Sequence, residues 1–116
     1  MPPRHNRTAD TIEARGRKTH RVVSVGGPNP TMIAPIRAKR TCVYFHNLND
    51  LQGTAIYIGK HDLDDPAQVL SIANGIPLAA NTGTFVDPYS YDAWYGITAN
   101  GALVRLLVIE TIADGD

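Results

Sequence analysis

Four histidines, His5, His20, His46 and His61, are the first residues to test for chemistry. No two of them stand at a metal-ligand spacing such as HxxxH. His46 falls on a strand beside Tyr44, where a half-exposed imidazole satisfied by its neighbours explains it better than a ligand does. His61, Asp62, Asp64 and Asp65 form a tight polar cluster. Calcium takes oxygen ligands of this kind, but the run lacks the spaced Asp/Asn positions and closing Glu of an EF-hand loop, and a solvated loop accounts for it. Ser24, Ser71 and Ser90 have no Gly-x-Ser-x-Gly setting and no identifiable base. Cys42 lies in a strand-like run with no nucleophile signature, which reads as a packed thiol. Gly26-Gly27 is not followed by the Gly-Lys-Ser/Thr of a phosphate loop. These residues point away from an enzyme, and no catalytic residue, cofactor, metal or small-molecule substrate is expected. Tyr89, Tyr91, Trp94 and Tyr95 are the remaining candidates, since exposed Tyr/Trp sets stack on sugar rings or bases and are enriched at protein interfaces. In a domain of this size they serve first as core or subunit interface.

The elements that must position such residues follow from the charge layout. The formal net charge is zero, yet residues 1–40 carry nine Lys/Arg against Asp10 and Glu13, and residues 41–116 carry Lys60 and Arg105 against nine acids. All eight aromatics lie between Tyr44 and Tyr95. The pattern is a basic arm without a core, residues 1–36, attached to an acidic globular domain, residues 37–116. Along the arm, residues 11–18 suit a short helical turn limited by Gly16. Val22, Val23 and Val25 suit a brief strand, and residues 26–30 (GGPNP) read as a breaker and hinge. Met32, Ile33 and Ile36 form an apolar island between prolines. Isolated, such a composition reads as a disordered tail; with a partner, it docks in extended form and orders as it binds. The partner-binding residues of the arm are then its cations, Arg4, Arg7, Arg15, Arg17, Lys18 and Arg21, its island Met32, Ile33 and Ile36, and the basic exit Arg37, Lys39 and Arg40. The acidic domain that holds the aromatics repels phosphate, so nucleic acid is disfavoured as a partner. One cysteine permits no intrachain disulfide, which fits assembly in a reducing cytosol. The opening MPPRHNR has no apolar signal region, and no run approaches 18 consecutive apolar residues, so neither secretion by a signal peptide nor a membrane is expected.

The domain reads as short strands separated by turn signals every 8–12 residues, with no 3.6-residue period. The expected fold is all-β, an antiparallel β-sandwich or jelly-roll-like barrel. Residues 41–47 (TCVYFHN) form a strand with Val43 and Phe45 on one face and Cys42, Tyr44 and His46 on the other. Residues 54–60 (TAIYIGK) form the next, Ile56 and Ile58 inward, and the simplest assembly pairs these two as a meander hairpin. Residues 61–68 are a polar excursion and residues 69–73 another short strand. Asn74-Gly75 is a turn signal, and Pro77 places residues 76–78 at an edge or bend. Residues 84–86 begin a further strand. Residues 94–110 (WYGITANGALVRLLVIE) read as a closing hairpin on Asn100-Gly101, the pair a two-residue type I′ turn asks for. Its second arm is apolar save for Arg105, as for a central strand covered on both sides, or on one side by another subunit. Tyr89, Tyr91, Trp94, Leu103, Leu107 and Ile109 are the candidate subunit interface.

The order of several pieces carries a resemblance. Phe45-His46-Asn47-Leu48-Asn49, Ala55-Ile56-Tyr57-Ile58-Gly59, Asn74-Gly75-Ile76-Pro77-Leu78, Tyr95-Gly96-Ile97-Thr98-Ala99 and Val104-Arg105-Leu106 through Glu110 follow one another across residues 40–110. In this order they resemble small all-β virion proteins of tailed phages: capsid decoration (cement) proteins, or components of head fibres and tail-fibre bases. The excursion at residues 61–68 and the basic arm are both longer than that pattern needs. The resemblance implies a structural protein, made in the host cytoplasm and located on the virion, at the capsid surface. It implies two partners, the major capsid protein and copies of the chain itself as dimer or trimer. The arm would dock on coat subunits while the β domain self-associates, stabilising the shell by many weak contacts. An adaptor at the base of a head or tail fibre is the alternative within this group. A nucleic-acid- or sugar-binding module is the alternative from another class.

Overall fold

A computed structural model describes residues 16–27, 29–49, 54–88 and 91–113. They form eight strands: β1 (Gly16–Val25), β2 (Thr31–Ala34), β3 (Arg40–Asn47), β4 (Ile56–Gly59), β5 (Ile76–Leu78), β6 (Thr84–Asp87), β7 (Trp94–Thr98) and β8 (Val104–Ala113). One 3-10 turn, Pro66–Gln68, is capped by the Asp65 carboxylate accepting from the Ala67 amide. The strands make two four-stranded antiparallel sheets, a first sheet ordered β1-β8-β3-β6 and a second ordered β2-β7-β4-β5. The order has a simple logic. β1 pairs β8, β2 pairs β7, β3 pairs β6 and β4 pairs β5, as in one long hairpin whose tip is the β4–β5 connection. Rolling that hairpin up brings β8 against β3 and β7 against β4. The result is the all-β sandwich in jelly-roll order.

Period-2 patterning builds the core. β8 buries Val104, Leu106, Val108, Glu110 and Ile112 and turns the residues between them outward. β3 buries Val43, Phe45 and Asn47. From the second sheet come Ile33, Ile56, Ile58, Leu78 and Trp94. Each fully buried Leu, Ile, Val or Phe contributes about 1.5–3 kcal/mol, so the facing rows dominate the stability of so small a domain. Trp94 fills the space between the sheets, its ring 5.6 Å from Phe45 and 5.4 Å from Phe85 in tilted pairs. Pro77 does sit on an edge strand, β5, where a missing N–H is tolerated.

The structure corrects five expectations. First, β7 and β8 are no hairpin. They lie in different sheets, and residues 99–103 cross from one to the other. A type I′ turn needs positive φ at both central residues, but here only Gly101 has it, at +76°. Asn100 instead turns its side-chain oxygen back to accept from the Ala102 amide. The β1–β2 connection packs beside this crossover so closely that a Cβ on Gly27 would lie 3.1 Å from Gly101 Cα and 3.1 Å from the Thr98 carbonyl. Second, β3 and β4 occupy opposite sheets and do not pair. Third, residues 69–73 form no strand; Asn74 and Gly75 amides close a turn on the Ser71 carbonyl without a left-handed residue. Fourth, residues 16–36 are not an extended arm without a core. All ten residues of β1 are in register with β8, from Gly16↔Ala113 to Val25↔Val104, and Val25, Ile33 and Ala34 belong to the core. The expected helical turn at residues 11–18 is β1 from residue 16 onward, and its start lies outside the described residues. Fifth, Trp94 is buried and unavailable to a partner's surface.

Candidate functional site

The two outer faces of the sandwich differ. On the second sheet, the chain between β4 and β5 folds back over the strands. His61 packs edge-on against the Tyr95 ring at 5.3 Å and accepts the Leu70 amide at Nδ1, 3.1 Å. Leu70 is buried over Gly59, where a Cβ would come within 3.2 Å of its methyl. Leu70 and Ile72 line one cavity with Ile97, which explains why outward-facing Ile97 is buried. The loop covers the middle of this face, while Met32 on β2 and Pro77 on β5 stay exposed.

The outer face of the first sheet has no such cover among the described residues. Strand register sets two rows across it, His20, Ile109, Tyr44 and Val86, then Val22, Leu107, His46 and Thr84, whose middle is apolar. Val22 and Val86 keep about half their surface in water (50% and 49%). Lys18 and Arg105 mark its two ends, six register positions apart, roughly 20 Å along the strands. Tyr44 and His46 rings lie nearly parallel at 6.5 Å, and His46 Nδ1 is 2.8 Å from Thr84 Oγ1. Lys18, Cys42, Tyr44, Val86, Leu107 and Ile109 line a shallow depression of about 330 Å3. No carboxylate is among the described residues that point outward from these four strands. The face can exclude water against a complementary surface.

The second notable constellation is internal. Glu110 points inward from β8 and is fully buried. Arg21 Nη1 donates to its Oε1 at 2.5 Å and Arg40 Nη1 to its Oε2 at 2.8 Å. Arg37 Nε lies 3.4 Å away as an ion contact without hydrogen-bond alignment. The same guanidiniums bind backbone across the sandwich: Arg21 to the Ile33 carbonyl at 2.7 Å, Arg40 to the Pro35 carbonyl at 2.7 Å and to the Asp92 carbonyl. Burial pushes the Glu110 carboxyl up, but the hydrogen bonds from Arg21 and Arg40, with their charges, outweigh it and hold the group below its ordinary value. This cluster clasps β1, β3 and β8 of the first sheet to β2 and the β6–β7 connection.

The candidate residues divide accordingly. Arg4, Arg7, Arg15 and Tyr89 lie outside the described residues. Arg17 and Lys18 are exposed at the start of β1. Arg21, Arg37 and Arg40, expected to bind a partner, converge on Glu110 instead. Met32 and Ile36 are exposed, Lys39 is exposed, and Ile33 is core. Leu107 and Ile109 stand together on the open face, Leu103 and Tyr91 are exposed in the connections before β8 and β7, and Trp94 is core. Sequence reasoning missed Glu110 as a hub. Its signal was an acid on the inward phase of an apolar strand, which demands a buried cation. It also missed Val22, Tyr44, Val86 and Lys18 as neighbours, because register, not sequence, brings them together.

No protein-family model, curated protein or solved structure matches the chain.

Proposed function

We propose that this chain is a structural protein of a tailed-phage virion, decorating and stabilising the capsid shell, with its β domain self-associating on the shell surface. The observation that carries the reading is the open outer face of the first sheet: an apolar stripe with cationic ends and, among the described residues, no outward carboxylate, on a sandwich whose other face is partly covered by the β4–β5 loop. A stripe of this kind on one face marks an interaction surface. Its cationic ends supply orientation and suit an acidic partner. Arg17, exposed where β1 begins, adds positive charge for contact with coat subunits. Many such contacts repeated over a shell give avidity that no single one has. The resemblance in the order of residues 45–49, 55–59, 74–78, 95–99 and 104–110 supports the virion setting. The test is reconstitution. Full-length protein added to shells lacking it should co-sediment with them and raise the temperature at which they release DNA. A protein that stays in the supernatant would remove the decoration role.

A further inference from the structure

We propose that the open face of the first sheet is the seat for the acidic β4–β5 loop of a second copy, with Leu63 entering the depression bounded by Tyr44, Val86, Leu107 and Ile109. The inference rests on the self-association in the proposed function and names the surfaces that perform it.

The occupant of this face must be apolar in the middle and anionic at its rim. A two-fold, face-to-face contact would bring Lys18 and Arg105 of one copy against the cations of the other, with no outward carboxylate among the described residues of these strands to pair them. That arrangement is repulsive, so the complementary surface has to come from elsewhere on the chain. The loop provides it. Leu63 has 79% of its surface in water and sits among Asp62, Asp64 and Asp65, all exposed. The loop is also held in shape. Asp62 Oδ1 accepts the Asp64 amide at 2.9 Å, and the Asp62 amide donates to the Gln68 carbonyl at 2.9 Å. His61 anchors its base on Tyr95 and the Leu70 amide. A side chain presented by a preorganised loop loses little entropy on docking. Four other exposed apolar residues match less well. Leu103 is two residues from Arg105, Met32 and Ile36 precede Arg37, and Tyr91 adjoins Asp92, whose carboxylate already meets Lys60 at 3.3 Å.

Topology makes the contact intermolecular. The loop emerges over the second sheet, and the depression opens on the first, on the opposite side of the sandwich. One copy therefore offers a loop to one neighbour and a face to the next. This is a heterologous contact, which closes into a ring or continues as a chain according to its rotation.

Sedimentation velocity on the full chain tests this with two variants confined to exposed side chains. Lys18→Glu with Arg105→Glu spoils the face, and Leu63→Ser with Asp64→Ser spoils the loop; the Asp64 amide keeps its turn bond in the second. Unchanged melting curves will show both to be folded. The wild-type chain should form species larger than the monomer that dissociate as salt rises, since charges at the rim are screened. Each variant alone should sediment as a monomer. An equimolar mixture should sediment as a dimer and no further, because the intact loop of one variant meets the intact face of the other. A mixture that stays monomeric overturns the head-to-tail contact. Association that survives in both variants overturns it too, while leaving self-association through another surface. A wild-type chain that is monomeric at every concentration removes self-association itself.

Discussion

Replacing Glu110 with glutamine removes one charge from the interior and leaves the shape almost unchanged. Arg40 then stays fully buried against two carbonyl acceptors without the carboxylate that offset its charge, and Arg21 loses its 2.5 Å ion pair. Breaking a buried ion pair from one side costs about 3–5 kcal/mol, because the desolvated partner remains. The introduced amide still offers one acceptor oxygen, which puts the expected loss at the lower end, about 3 kcal/mol. For a domain of this size each kcal/mol lowers Tm by about 4–8 °C, so the variant should melt at least about 12 °C below wild type. Thermal and urea unfolding followed by circular dichroism measure both quantities. A loss under about 1 kcal/mol would refute the reasoning, since it would mean that water already reaches the guanidiniums. The double variant Arg40→Met with Glu110→Leu removes the fully buried pair but still leaves Arg21 and Arg37 without the carboxylate, so it should recover only part of the loss. The cluster also sets a pH dependence. Because the folded Glu110 carboxyl is held below its unfolded value, its contribution is complete above the ordinary glutamate range. It is lost as pH falls through the lower, folded value. The glutamine variant should accordingly lose less stability on acidification than the wild type.

Other predictions test the fold that positions the open face. A Cβ on Gly83 would overlap the backbone of Leu78 and Ala79, so Gly83→Val should cost at least about 2 kcal/mol in urea unfolding. A Cβ on Gly101 meets nothing within 4 Å, so Gly101→Val carries mainly left-handed strain, about 1–2 kcal/mol, and should be the milder of the two. Asn47→Ala strands the Leu78 carbonyl, now 2.9 Å from Asn47 Nδ2, and should cost about 1–3 kcal/mol by the same assay. Deleting residues 1–35 removes β1 and β2 and should abolish cooperative unfolding.

What could be read from the chain, and what could not, divides by range. The alternation in TCVYFHN is local, and it placed Val43 and Phe45 inside and Tyr44 and His46 outside, as they are. The inward Ile56 and Ile58 and the edge position of Pro77 were legible for the same reason. Partner choice between strands is not local. Asn100-Gly101 satisfies the composition of a tight hairpin, but the apolar inner faces of β7 and β8 belong to opposite sheets, and packing overrode the turn. β1 looked like a solvated tail because its inward phase, Thr19, Arg21, Val23 and Val25, is only half apolar. Arg21 is tolerated there because Glu110, 89 residues away, neutralises it. The charge asymmetry of the chain was plain, but part of it serves the interior. The open face was half legible: Leu107 and Ile109 share a strand, whereas Val22, Tyr44 and Val86 join them only through register.

The most direct test of the virion reading is cross-linking mass spectrometry on purified particles, following Lys18, Lys39 and Lys60. The expected result is that the chain is present in particles, that Lys39 links to the major capsid protein and that Lys18 links to a second copy of the chain. Absence of the chain from particles would contradict it, as would links confined to fibre or tail proteins.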